Sequence, residues 1–159
     1  MFFILGLPRS RTAWLANFLT YDGLYCHHEG VNHCTTMDEY WRKLGDDGDS
    51  TTVGNLLKVH EIDCPKIIID RDISHAIEFS IKNYGKSPTQ FLEECKDYLD
   101  RLDGLHVKYE EIDKYLELIW SYLSNKPFDR KRAEILTQMN IQKHDIYDIE
   151  VEALCPSQQ

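Results

Sequence analysis

Phe2-Phe3-Ile4-Leu5-Gly6-Leu7-Pro8-Arg9-Ser10-Arg11-Thr12-Ala13-Trp14-Leu15 sets the architecture. Phe2 to Leu5 is an unbroken apolar run, as a strand covered on both faces requires. Gly6 to Ser10 breaks that run. From Arg11 onward, Trp14, Leu15, Phe18 and Leu19 recur at helical spacing, and Tyr21-Asp22-Gly23 ends the helix. A buried strand that turns sharply into a helix is the opening of an α/β domain.

The rest of the chain repeats the alternation. Leu24 to His28 reads as a short second strand, followed by a helix around Thr36 to Leu44 and an acidic loop over Gly45 to Asp49. Val53 to Ile62 is expected to be helical. Ile67-Ile68-Ile69 is the second buried strand, left at Asp70-Arg71-Asp72, with a helix to about Tyr84 that Gly85 ends. Ser87-Pro88-Thr89-Gln90 has the pattern of a helix start, with Ser87 as N-cap. Phe91, Leu92, Cys95, Tyr98, Leu99 and Leu102 then form one apolar face. Leu105 to Tyr109 reads as a further strand. Ile112, Tyr115, Leu116, Ile119, Trp120 and Leu123 mark an amphipathic helix, and Asp129 caps a last one running to about Met139. Residues 140–159 form a polar, acidic tail without a period. The expected fold is one domain over residues 1–159, a mainly parallel sheet flanked by helices in a three-layer α/β/α arrangement. Such sheets bind ligands beyond the carboxyl ends of their strands. That rule selects the turns after Leu5, Cys26–His28, Ile69 and Tyr109.

Composition narrows the partners. The chain has 159 residues, enough to bury a core without disulfide or metal staples. Its formal net charge of −9 argues against a nucleic-acid binder or an anionic-membrane binder, which depend on basic surface. A small anionic ligand needs only a few local donors and stays open. No apolar run reaches the ~18–20 residues of a membrane span, and Met1 to Leu7 is too short for a secretory core. The five cysteines are odd in number and irregularly spaced, which suggests free thiols and a cytoplasmic setting.

The turn from Gly6 to Thr12 carries the chemistry. The first N–H groups of the helix point into it and favour an anion. Arg9 and Arg11 add cations, while Ser10 and Thr12 add hydroxyls, a donor set suited to phosphate or sulfate. This is not a Walker A loop: Thr12 lies six residues after Gly6 rather than seven, and the second Gly and the Lys are absent.

Gly6 to Leu15 resembles the 5′-phosphosulfate loop of sulfotransferases, G-x-P-[KR]-S-G-T-T-x-L, which implies a P-loop-type α/β/α fold. The resemblance implies that Pro8, Arg9, Ser10, Arg11, Thr12 and Ala13 wrap the phosphosulfate of 3′-phosphoadenosine 5′-phosphosulfate. Arg9 would then stabilise the leaving phosphate. Arg11 stands where that family has Gly. Lys66 to Asp72 is similar to the family's 3′-phosphate segment, which implies that Arg71 and a following serine hold that phosphate. Ser80 is the candidate, nine residues on, where the family spacing is about eight. Val107-Lys108-Tyr109-Glu110-Glu111-Ile112 and Tyr122 to Asp129 resemble the family's Y-E-D-L and F-L-G-L-P-F-D segments. The family's R-K-G-x-x-G-D segment has no counterpart; Arg130-Lys131-Arg132 is basic without glycine.

Two stretches offer candidates for a catalytic base. Lys58-Val59-His60 matches the family's K-T-H by letters. His60, however, lies six residues before Lys66, too close for a strand end in a parallel crossover. The edge after Tyr25-Cys26 offers His27, His28 and Glu29, side chains suited to accept a hydroxyl proton. Cys26, His27, His28, His33 and Cys34 match no zinc-site spacing, and Asp46 to Asp49 lacks the calcium-loop pattern. The family analogy requires no metal. Three functions remain: a sulfotransferase using an anionic nucleotide donor and a small-molecule acceptor, a non-catalytic phosphate- or nucleotide-binding module of the same fold, and a nucleotide phosphotransferase.

Overall fold

The computed structural model describes residues 1–85 and 88–139. Five strands, β1 (Phe2–Gly6), β2 (Cys26–His28), β3 (Gly48–Thr51), β4 (Lys66–Asp70) and β5 (Leu105–Lys108), form one sheet in the order β2-β3-β1-β4-β5. Every pairing is parallel. The helices are α1 (Thr12–Leu19), α2 (Met37–Leu44), α3 (Ile73–Tyr84), α4 (Thr89–Asp100), α5 (Leu116–Leu123) and α6 (Arg130–Thr137). They cover both faces of the sheet and complete a three-layer α/β/α fold. The two apolar runs that the sequence marks pair directly, Ile4 opposite Ile67 and Leu5 opposite Ile68.

Side-chain alternation along β1 and β4 divides the core into two layers. Phe2, Ile4, Ile67 and Ile69 face α1, α5 and α6. Phe3, Leu5 and Ile68 face α2, α3 and α4, with Leu57 and Val59 from the β3–β4 connection. Among the described residues no helix is long and apolar enough to cross a membrane. Cys26, Cys34, Cys64 and Cys95 are free thiols.

Four expectations change. Gly45 to Asp49 is not all loop, because Gly48 and Asp49 begin β3 between β1 and β2. Hydrogen bonds rather than apolar side chains hold that strand. Asp49 accepts from the Gly30 amide (3.1 Å) and the Tyr40 hydroxyl (2.8 Å), and Ser50 Oγ donates to the Thr12 carbonyl (2.8 Å). Gly48 is required by packing, since a Cβ there would lie 2.1 Å from the Phe2 ring. Val53 to Ile62 is a series of turns with one short 3₁₀ segment at Val59–Glu61, not a helix. Gly54 presses against Leu5, Lys58 is left-handed (φ 52°), and the Tyr98 hydroxyl serves both the Gly54 carbonyl and the His60 amide. The segment expected as one helix from Ile112 divides into a 3₁₀ stretch at Tyr109–Lys114 and α5. Helix α4 begins at Thr89 with Pro88 outside it. The expected Ser87 cap and the tail over residues 140–159 lie outside the described residues.

Candidate functional site

Strand order places a topological switch at the centre of the sheet. The chain leaving β1 runs toward β2, whereas the chain leaving β4 runs toward β5. Their carboxyl ends therefore open a crevice between diverging connections. A cavity of about 650 Å³ occupies this edge. The segments that follow all five strands line it.

The β1–α1 loop forms its floor. Arg9 (φ 71°) and Arg11 (φ 60°) are both left-handed, on either side of Ser10. Residues with side chains adopt this conformation at a cost of about 1–2 kcal/mol. Arg11 thus holds a backbone conformation that glycine adopts readily. The internal bonds of α1 start with the Leu15 amide on the Arg11 carbonyl (2.9 Å). This leaves the first-turn N–H groups of Thr12, Ala13 and Trp14 without intrahelical partners, at the positive end of the helix. Ser10 is 0% exposed, and among the described residues its Oγ has no hydrogen-bond partner.

Pro8, Arg9, Arg11, Thr12, Ala13 and Ser80 all line the cavity. Ser10 is not among its lining residues; its side chain lies against Gly6 of β1. Arg9 is exposed, its guanidinium is 4.9 Å from the Phe79 ring centre, and it makes no ion pair among the described residues. Arg11 is committed elsewhere: its Nη1 donates to Asp113 Oδ1 at 2.8 Å, and its guanidinium lies 4.2 Å from the centre of the Trp14 ring. Arg71 stands behind the wall rather than in it, with its guanidinium 3.9 Å from the centre of the Tyr109 ring, which does line the cavity. An ion pair of Arg71 with Asp70 or Asp72 does not form. Asp70 meets His106 (3.3 Å), and Asp72 caps the Ser74 amide (2.8 Å).

His28 and Glu29 reach the same cavity from the end of β2. His28 Nε2 is 3.3 Å from Thr12 Oγ1, so one imidazole nitrogen contacts the first residue of α1. Both oxygens of Glu29 are engaged: Thr51 Oγ1 donates to Oε2 and the Thr52 amide to Oε1, each at 2.8 Å. That clamp ties the ends of β2 and β3 together. His27 points away, its ring against Tyr25 (4.8 Å between centres) and 3.6 Å from Asp47. Burial holds its imidazole below the ordinary pKa, against the pull of Asp47. The structure does not bring His60 to the cavity. It lies in a separate cleft with Lys66 and Gly104, at the amino ends of β4 and β5. Among the described residues no three His, Cys, Asp or Glu side chains are grouped to hold a metal ion.

Other wall residues, Asn32, Thr52, Phe79, Tyr84 and Asp113, are not marked as site residues by the sequence. Tyr109, also in the wall, is marked there by its strand end and by the segment similar to Y-E-D-L. Arg132, in the basic run near the C-terminus, is buried and donates to carbonyls at the end of α1, away from the cavity lining. No known protein family matches the chain, and no curated protein does.

Proposed function

We propose that the chain transfers a sulfuryl group from 3′-phosphoadenosine 5′-phosphosulfate to a hydroxyl or amine acceptor. One observation carries this reading. Left-handed Arg9 and Arg11 flank Ser10, whose buried hydroxyl has no partner among the described residues, at the open N-terminus of an eight-residue helix that borders a cavity of about 650 Å³. Amides, guanidinium and hydroxyl together suit a tetrahedral oxyanion.

In this reading the acceptor oxygen or nitrogen attacks sulfur. The bond from sulfur to the bridging oxygen breaks, and the 5′-phosphate leaves with the electron pair. Arg9 and the first-turn amides of α1 stabilise the charge that develops on that phosphate. His28 or Glu29, both on the cavity wall, takes the acceptor proton. Ser80, on the cavity wall, and Arg71, stacked on the wall residue Tyr109, are assigned to the 3′-phosphate in this reading. The cavity wall from β2 and β3, with His28, Asn32 and Thr52, suits a polar acceptor. The setting proposed for this chemistry is cytoplasmic.

A second reading keeps the anion site without the reaction, as a nucleotide-binding module. The engagement of Glu29 and of Arg11 by their own neighbours favours it. Activity separates the two: sulfuryl transfer to a hydroxyl or amine acceptor belongs to the first alone.

Arg9→Ala tests the shared site. Losing one charge-assisted contact of about 1.5–3 kcal/mol is expected to weaken adenosine 3′,5′-bisphosphate binding roughly ten- to a hundredfold. Arg9→Lys retains measurable binding, because a cation remains in place. Melting temperature should stay near wild type, since Arg9 is exposed. Unchanged affinity in a folded Arg9→Ala protein would remove the anion site.

A further inference from the structure

Given the anion site proposed at the β1–α1 loop, we infer that Asp113 is its built-in competitor. Its carboxylate holds, on Arg11, the place that a phosphate oxygen of the ligand takes on binding, and it thereby sets the affinity of the site.

The geometry of the pair supports an exchange. Arg11 and Asp113 both line the cavity, one in the β1–α1 loop and the other in the segment after β5. Arg11 Nη1 donates to Asp113 Oδ1 at 2.8 Å. The two partners are unequally placed. The Arg11 side chain is 18% exposed, laid on Trp14, and fixed at its root by a left-handed backbone. Asp113 is 58% exposed. Displacing Asp113 returns a mostly hydrated carboxylate to water, so its release costs little. Displacing Arg11 would break its stacking on Trp14. The mobile member of the pair is therefore the carboxylate.

Electrostatics gives the direction. An anion settling on the N-terminus of α1 comes within reach of Arg11, and its charge repels the Asp113 carboxylate. Arg11 then exchanges one oxyanion for another. Guanidinium suits this role because its planar fork bonds carboxylate and phosphate alike. Every ligand must displace this carboxylate from Arg11, and a chain with Asn at this position binds anions more tightly.

The test is a double-mutant cycle read by calorimetry, with adenosine 3′,5′-bisphosphate and inorganic sulfate as probes at low ionic strength. Asp113→Asn keeps the side-chain shape and removes the charge; it is expected to tighten bisphosphate binding about fivefold. In an Arg11→Gln background the same change should alter affinity less than about twofold, because the contested cation is gone. Glu93→Gln on α4, outside the cavity lining, makes the same change in net charge and should also stay within about twofold, which separates contact from overall field. Asp113→Asn binding no more tightly than wild type, while Arg9→Ala still weakens binding, would overturn the inference and leave the anion site standing. A tightening that persists in Arg11→Gln would also overturn it. Failure of both wild type and Asp113→Asn to bind either probe would remove the inference and the anion site together.

Discussion

An Arg132→Ala protein is expected to unfold at a markedly lower temperature than wild type. Arg132 is 3% exposed, and its guanidinium caps the C-terminal end of α1. Nη1 donates to the Phe18 carbonyl at 2.6 Å, and Nη2 donates to those of Asn17 at 2.9 Å and Thr20 at 3.4 Å. The last carbonyls of a helix have no intrahelical donor, and a cation there also meets the negative end of the helix dipole. The same guanidinium lies 4.4 Å from the centre of the Tyr21 ring. Alanine removes the donor from the buried Phe18 carbonyl and the part-buried carbonyls of Asn17 and Thr20, and leaves a gap beside Phe18 and Tyr21. At about 1–3 kcal/mol for the buried acceptor, with the other charge-assisted bonds lost beside it, the loss is expected to reach about 3 kcal/mol. This corresponds to a fall of roughly 10 °C in a domain of this size. Arg132→Lys should recover part of the loss, since one ammonium cannot span the carbonyls as a fork does. A melting temperature within about 2 °C of wild type for Arg132→Ala would contradict the capping role.

Asp49→Asn is expected to do the opposite, and only above mildly acidic pH. Asp49 is fully buried on β3, and burial pushes its carboxyl up from 3.8 to about 6. The hydrogen bonds from the Gly30 amide and the Tyr40 hydroxyl oppose that rise, and the Glu29 charge adds to it. Between those two values the folded chain holds a proton that the unfolded chain has released. Stability therefore falls as pH rises through this window and stays lowered above it. The gap corresponds to about 3 kcal/mol. Asparagine keeps an acceptor for the Gly30 amide and cannot ionise. Denaturant unfolding should show Asp49→Asn more stable than wild type at pH 8 by an amount of that order, with the difference closing toward pH 3.5. Asp49→Asn less stable than wild type at pH 8 would mean that the ionised carboxylate is a net support of β3. Because Asp49 anchors Gly30, next to His28 and Glu29, the same substitution also reports on how firmly the β2 edge of the cavity is held.

The parts of the fold legible in the sequence are those that bury apolar side chains. Phe2 to Leu5 and Ile67 to Ile69 announce β1 and β4, because central parallel strands are covered on both faces. Thr36 and Asp129 mark helix starts through the side-chain caps they make. Strand β3 is illegible for the converse reason: Gly-Asp-Ser-Thr has the composition of a turn. Only partners far along the chain, Phe2, Thr12, Gly30 and Tyr40, make it a buried strand. Val53 to Ile62 carries apolar residues at spacings compatible with a helix. Contacts of Gly54 with Leu5 and of Tyr98 with the backbone decide otherwise, and none of them shows in a local pattern.

The site divides in the same way. The β1–α1 loop is readable because its chemistry lies in consecutive residues, and the strand-end rule also finds His28 and Glu29. His60 shows the limit of matching letters: a residue at the amino ends of the strands cannot serve a cavity at their carboxyl ends. Asp113 lies 102 residues from Arg11. Its role depends on β5 and β1 standing two places apart in the sheet, which no local pattern encodes.

The most direct measurement is a calorimetric titration of the wild-type protein with adenosine 3′,5′-bisphosphate, beside adenosine 5′-monophosphate and a nucleoside triphosphate with magnesium. A donor site for 3′-phosphoadenosine 5′-phosphosulfate is expected to bind the bisphosphate in clear preference to both, without a metal requirement. No heat from the bisphosphate, or preference for the triphosphate with magnesium, would contradict it.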